Sequence, residues 1–193
     1  MEVLLVIGVI LAIIIFFVIG VYNNLVQSKI LVDEGWSGID VQLKRRYDLI
    51  PNLVETVKGY SIHEKETLTK IAELRTASMN TKTIDEKGKV ENQLSGTLKT
   101  LFAVAENYPD LKANQNFLDL QKTLTDIETE LQGARRYYNG TVRDFNTKIL
   151  VFPNNLIAGM LGFKGREFFA AEEEAKANVK VDFTSDSTGQ VKS

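Results

Sequence analysis

RRYDLIPNLVETVKGY, residues 45–60, decides how this chain is built, because a proline stands inside an otherwise helical pattern. Leu43, Tyr47, Ile50, Leu53 and Val57 keep a three- or four-residue spacing straight past Pro51. A proline in a helix interior removes one backbone donor and crowds the preceding turn, at a cost of ~3 kcal/mol. The carbonyl it frees belongs to Tyr47, one turn earlier. Upstream, Val32, Trp36 and Ile39 extend the same stripe, while Asp33, Glu34, Asp40, Lys44, Arg45 and Asp48 mostly fall off it. The spacing therefore predicts one helix with a single buried face on both sides of Pro51. Gly35 and Gly38 flank Trp36, and their expected role is to let a neighbouring helix approach the indole.

Further along, the same periodicity recurs. SIHE, residues 61–64, fits a capping box ahead of Leu68, Ile71, Leu74 and Met79. The polar TKTIDEKGK separates that helix from another carrying Val90, Leu94, Leu98, Leu101, Ala105 and Tyr108, which stops at Pro109. The strongest pattern runs Phe117, Leu120, Leu124, Ile127, Leu131, Ala134, Tyr138, Val142, Phe145, Ile149, with no proline in it. Long amphipathic helices joined by short turns pack antiparallel, so the expected fold is all-α, a helical bundle. FPNNLIAGMLGF, residues 152–163, predicts a short apolar helix capping the bundle, with Ala158, Gly159 and Gly162 allowing tight seating. REFFAAEEEAKA predicts one more helix, VKVDF at 179–183 is at most a short strand, and the polar residues after it form a tail.

Only the N-terminus is compositionally extreme. VLLVIGVILAIIIFFVIGV, Val3 to Val21, has no charged or polar side chain. As a helix it would rise about 28 Å at ~1.5 Å per residue, close to a ~30 Å hydrocarbon core. Glu2 rather than a basic residue precedes it, and no small-residue cleavage pattern follows, so it reads as a retained anchor. Lys29, and then Lys44, Arg45 and Arg46, follow the span, which places the N-terminus outside and the domain in the cytoplasm. The division expected is an anchor over 1–22, a bundle over 23–171 and a polar tail over 172–193.

Chemistry is sparse. The chain has no cysteine and one histidine, and its net charge is −2 with both signs intermixed, so neither thiolate chemistry nor nucleic-acid binding is expected. HEKET, from His63, opens like a zinc-protease helix, but the second histidine that would hold the metal is replaced by Thr67. Glu172, Glu173 and Glu174 read as a solvated face, and Asn139-Gly140-Thr141 is a sequon placed mid-helix. No cofactor, metal or catalytic residue is predicted. Two polar clusters remain, Arg45, Arg46 and Asp48 in QLKRRYD, and Arg135, Arg136, Tyr138, Arg143 and Asp144 in GARRYYNGTVRDFN. The expected role is pairing across the bundle, with Asp48 or Asp144 accepting from arginines; the functional alternative is a docking patch for a partner or an anionic headgroup.

Taken together, GWSGIDVQLKRRYDLIPNLVETVKGYSIHEKETL, GARRYYNGTVRDFN and FPNNLIAGMLGF, in this order, resemble the LemA family of bacterial membrane proteins. The resemblance implies an N-terminal membrane helix followed by a cytoplasmic bundle whose first helix runs through the proline. It supplies no reaction. The function expected is a membrane-anchored, non-enzymatic scaffold or interaction protein at the inner face of the cytoplasmic membrane. Its expected partners are the bilayer, through Val3 to Val21, and further copies of itself or an unknown protein. A regulatory binding module for a membrane protein such as a protease is the second reading.

Overall fold

A computed structural model describes residues 1–60 and 65–170 of the chain. The capping box at 61–64, the candidate strand and Glu172 to Glu174 lie outside these residues. Among the described residues there are six helices and no strand: α1 (Glu2–Lys58), α2 (Lys65–Asn80), α3 (Ile84–Ala105), α4 (Pro109–Lys112), α5 (Gln115–Leu150) and α6 (Asn154–Met160).

α1 is unbroken from the apolar span into the bundle, so its 57 residues rise about 86 Å at ~1.5 Å each. Residues 2–20 are all exposed, whereas Leu25, Val32, Ile39, Leu43, Tyr47, Ile50, Leu53 and Val57 are buried. The stripe read through Pro51 is therefore continuous, and the proline ring itself is exposed. The orphaned Tyr47 carbonyl is satisfied from α2, where Arg75 Nε donates to it over 2.8 Å. That bond supplies what the missing proline N–H cannot.

Contacts fix the direction of each helix. α1 meets α5 at Ser28–Lys148, at Gly35–Tyr138 and at Arg46–Glu128, an antiparallel order. α2 and α3 form a hairpin, and α3 runs against α5 from Ser95–Glu128 to Phe102–Phe117. The result is an up-down-up-down bundle of α1, α2, α3 and α5 around one core. Side-chain caps set two of the starts. Thr83 Oγ1 accepts from Glu86 N over 3.4 Å ahead of α3, and Asn114 Oδ1 accepts from Phe117 N over 3.0 Å ahead of α5.

Several local expectations change. Gly35 does permit close approach, since a Cβ there would lie 3.2 Å from Tyr138 Cα; a Cβ on Gly38 would meet nothing within 4 Å. Met79 is exposed and Ser78 takes the buried position instead. In α3 the buried register includes Glu91, while the neighbouring Val90 is only partly covered. Ala158 is buried beneath α6, yet Gly159 is open. Gly162 acts differently, with φ +73° ending α6 in a Schellman turn: Phe163 N donates to Ala158 O over 2.9 Å, and Gly162 N to Gly159 O over 3.3 Å. Residues 166–170, expected to open a helix, are instead part of an extended strap laid along the bundle.

Candidate functional site

The strap is held by α5. Asn146 Nδ2 donates to Arg166 O over 2.9 Å, and its Oδ1 accepts from Arg166 N over 2.8 Å. Asn139 repeats the pairing with Phe169, at 3.1 and 2.9 Å. Seven helical residues rise about 10.5 Å and three extended residues span about 10 Å, so the two amides match the strap in antiparallel register. These two-point bonds compete with any helix at 166–170, which is the physical reason the sequence expectation fails there. Tyr138 Oη donates to Glu167 O over 2.8 Å, and Arg166 reaches Asp33 at 3.0 Å. Burial pushes the Tyr138 hydroxyl pKa up, and the Arg166 charge opposes that rise. Phe169 is buried beside Trp36, with the Arg135 guanidinium 4.8 Å from its ring centre.

A second polar constellation lies inside the core. Arg46 (α1) is 2% exposed and donates through Nη1 to Glu91 Oε2 (α3) over 3.0 Å. Its Nη2 donates to Ser95 Oγ over 2.8 Å and to Glu128 Oε2 (α5), and Ser95 also donates to Glu128 over 3.0 Å. The Tyr47 (α1) and Ser78 (α2) hydroxyls both donate to Glu91 Oε1 and lie 2.7 Å apart. Glu91 is 0% exposed. Burial first, and the Glu91 charge second, raise the Tyr47 pKa well above its ordinary value, so the hydroxyl remains a donor. All four bundle helices contribute. An isolated charge at this depth would cost several kcal/mol; here Arg46 faces both carboxylates, and Glu91 also accepts from Tyr47 and Ser78. Glu128 accepts from Ser95 through Oε2, while its buried Oε1 has no partner among the described residues.

Of the residues singled out from the sequence, Arg46, Arg135 and Tyr138 are buried, while Arg45, Asp48, Arg136, Arg143 and Asp144 are exposed. They do not converge on one site. Arg46 belongs to the core network and Tyr138 to the strap, while Arg135 Nη1 donates to Asn92 Oδ1 over 3.1 Å. Arg45 bonds to Gln42 at 3.0 Å and Arg143 to Asp144 at 3.4 Å, each within its own helix. The acceptors that cross the bundle are Glu91 and Glu128, not Asp48 or Asp144. Sequence reasoning passed over both glutamates, together with Ser78, Ser95, Arg75 and Asn146. The available signal was a polar residue in the apolar register: Glu91 and Ser95 stand between Gly88 and Leu98 at helical spacing, and Glu128 between Leu124 and Leu131.

Chemically, the core network can tie four helices together; Arg46 and Glu91 are buried in it, while Glu128 is 16% exposed at its edge. Among the described residues no group of three or more His, Cys, Asp and Glu side chains could hold a metal ion. An apolar N-terminal helix without burial, running unbroken into an antiparallel bundle, defines a membrane-associated all-α protein with one candidate span among the described residues. The LemA family profile matches residues 35–183, and the chain belongs to that family. It is 29% identical to Protein LemA of Metamycoplasma hominis, covering 85% of this chain and 75% of that protein. It is also similar to Magnetosome protein MamQ 2 of Paramagnetospirillum magneticum, at 23% identity over 77% of this chain. Magnetosome protein MamQ of Magnetospirillum gryphiswaldense is 21% identical over 69% of the chain. The chain spans 64% and 58% of the lengths of these two MamQ proteins.

Proposed function

We propose that the chain is a non-enzymatic scaffold or interaction protein, anchored in the bacterial cytoplasmic membrane with its bundle in the cytoplasm, and that it associates with further copies of itself or with another protein. The observation that carries this reading is the continuity of α1. No linker separates the span from the bundle, so the bundle is carried at a set height above the bilayer. Such stiffness suits a surface meant to meet neighbours in the membrane plane. The similarity to magnetosome proteins is in keeping with a role at a membrane. Exposed Arg45, Arg136, Tyr137 and Arg143 give the outside of the bundle polar and aromatic contacts, while the buried charges are spent on holding it together.

Crosslinking in cells at native expression, followed by recovery of the chain, tests this directly. Self-association or a defined protein partner is the expected result; a chain that crosslinks to neither removes the proposal. A cysteine introduced at Ser193 should resist impermeant maleimide in intact cells and react after lysis. Reaction without lysis would reverse the orientation.

A further inference from the structure

α6 and its flanks carry an apolar surface that the bundle does not use. Phe152 is 79% exposed, Leu156 60% and Met160 86%, and Leu150 and Leu161 are exposed beside them. Leu156 and Met160 lie one turn apart on α6 and share a face, opposite the buried Ala158, and Phe152 stands in the turn just before the helix. So dense a patch of large apolar side chains is unusual on a soluble surface and marks a contact.

Its position says with what. Lys148 reaches Ser28, so in the antiparallel register Leu150 lies about level with Val26 of α1. Phe163, just after α6, stacks edge-on with Tyr22 at 6.3 Å, one residue beyond the apolar span. Val21 to Val26 is about 7.5 Å of helix, and helices lying in the membrane interface reach about 5–10 Å into the headgroup and acyl boundary. The patch is therefore continuous with the lipid-facing surface of α1 and lies at its bilayer end. Beside it, a groove of ≈770 Å³ has Tyr22, Val26 and Phe163 on its walls and Lys29 and Lys164 among its lining residues. Cations at headgroup height next to apolar side chains complement an anionic phospholipid surface.

We infer that α6 with its flanks is a second membrane contact, inserting Phe152, Leu156 and Met160 into the interface of the same bilayer that α1 crosses. Two points of contact, one spanning and one lying in the interface, would fix the tilt of the bundle against the membrane. The inference rests on α1 being a span.

The chain has no native cysteine, so single-cysteine variants of the full protein can be labelled with an environment-sensitive fluorophore and reconstituted into phosphatidylcholine–phosphatidylglycerol vesicles. Labels at Phe152→Cys, Leu156→Cys and Met160→Cys should emit blue-shifted and lose most intensity to lipids carrying a quencher on the upper acyl chain. They should resist aqueous iodide. Lys70→Cys, on exposed α2, should show the reverse, and Ala12→Cys should report the span. Adding Leu156→Glu and Met160→Glu to the Phe152→Cys chain should return that label to water, with helicity unchanged. Iodide quenching at 152, 156 and 160 with Ala12→Cys still in lipid would overturn the inference alone. Iodide quenching at all four would overturn the span as well. Labels shielded from both quenchers would mean that protein, such as a second copy, covers the patch, and would also overturn it.

Discussion

Replacing Arg75 by methionine isolates the bond that lets a helix pass through proline. Methionine keeps much of the apolar stem but removes the Nε donor, 2.8 Å from the Tyr47 carbonyl. Pro51 has no N–H to offer that oxygen, so the carbonyl of a buried residue loses its charged donor. Losing a hydrogen bond from a charged group, or stranding a buried acceptor, costs about 1–3 kcal/mol. For a chain of this size each kcal/mol moves the thermal midpoint by about 2–4 °C, so Arg75→Met should lower it by roughly 4–8 °C for a 2 kcal/mol loss. In a Pro51→Ala background the alanine N–H can bond the same carbonyl, and Arg75→Met should then cost at least about 1 kcal/mol less. Circular dichroism of the four full-length chains in detergent completes the cycle. Equal costs of Arg75→Met in both backgrounds, within ~0.5 kcal/mol, would refute the reasoning.

Arg46→Met should destabilise by about 3–5 kcal/mol, because it leaves Glu91 and Glu128 without their cation; adding Glu91→Gln and Glu128→Gln, which keeps acceptors but removes both charges, should recover most of the loss in the same unfolding assay. Stability should fall as pH rises above about 10, where the unfolded chain releases the Tyr47 proton and the folded chain, with its raised pKa, retains it; Tyr47→Phe should flatten that slope in unfolding curves collected from pH 9 upward. Gly88→Ala would place a Cβ 2.6 Å from the backbone nitrogen of Ala170 and should dislodge the strap, exposing the Phe169 amide to hydrogen exchange. Gly38→Ala meets open space and should instead stabilise the helix by up to ~1 kcal/mol of propensity, raising the midpoint by about 2–4 °C.

The helices themselves were legible because their signal is local. Apolar residues every three or four positions located α1, α3 and α5, the hydropathy of Val3 to Val21 set the span apart, and the stripe through Pro51 predicted an unbroken first helix. Membership of the LemA family could be read from three segments in order. None of this separates Arg45 from Arg46. The two are chemically identical neighbours, about 100° apart on the helix, and only the phase at which α3 and α5 dock makes one a core ion and leaves the other in water. Glu91 and Glu128, 45 and 82 residues from Arg46, become its acceptors for the same reason. Residues 166–170 have no local preference strong enough to hold them extended; the amides of Asn139 and Asn146, spaced to match the strap, impose that conformation. Propensity and periodicity act within a few turns of chain, so they determined which segments are helices. Burial, charge pairing and the strap depend on groups brought together from distant positions, and the tertiary structure alone decided those.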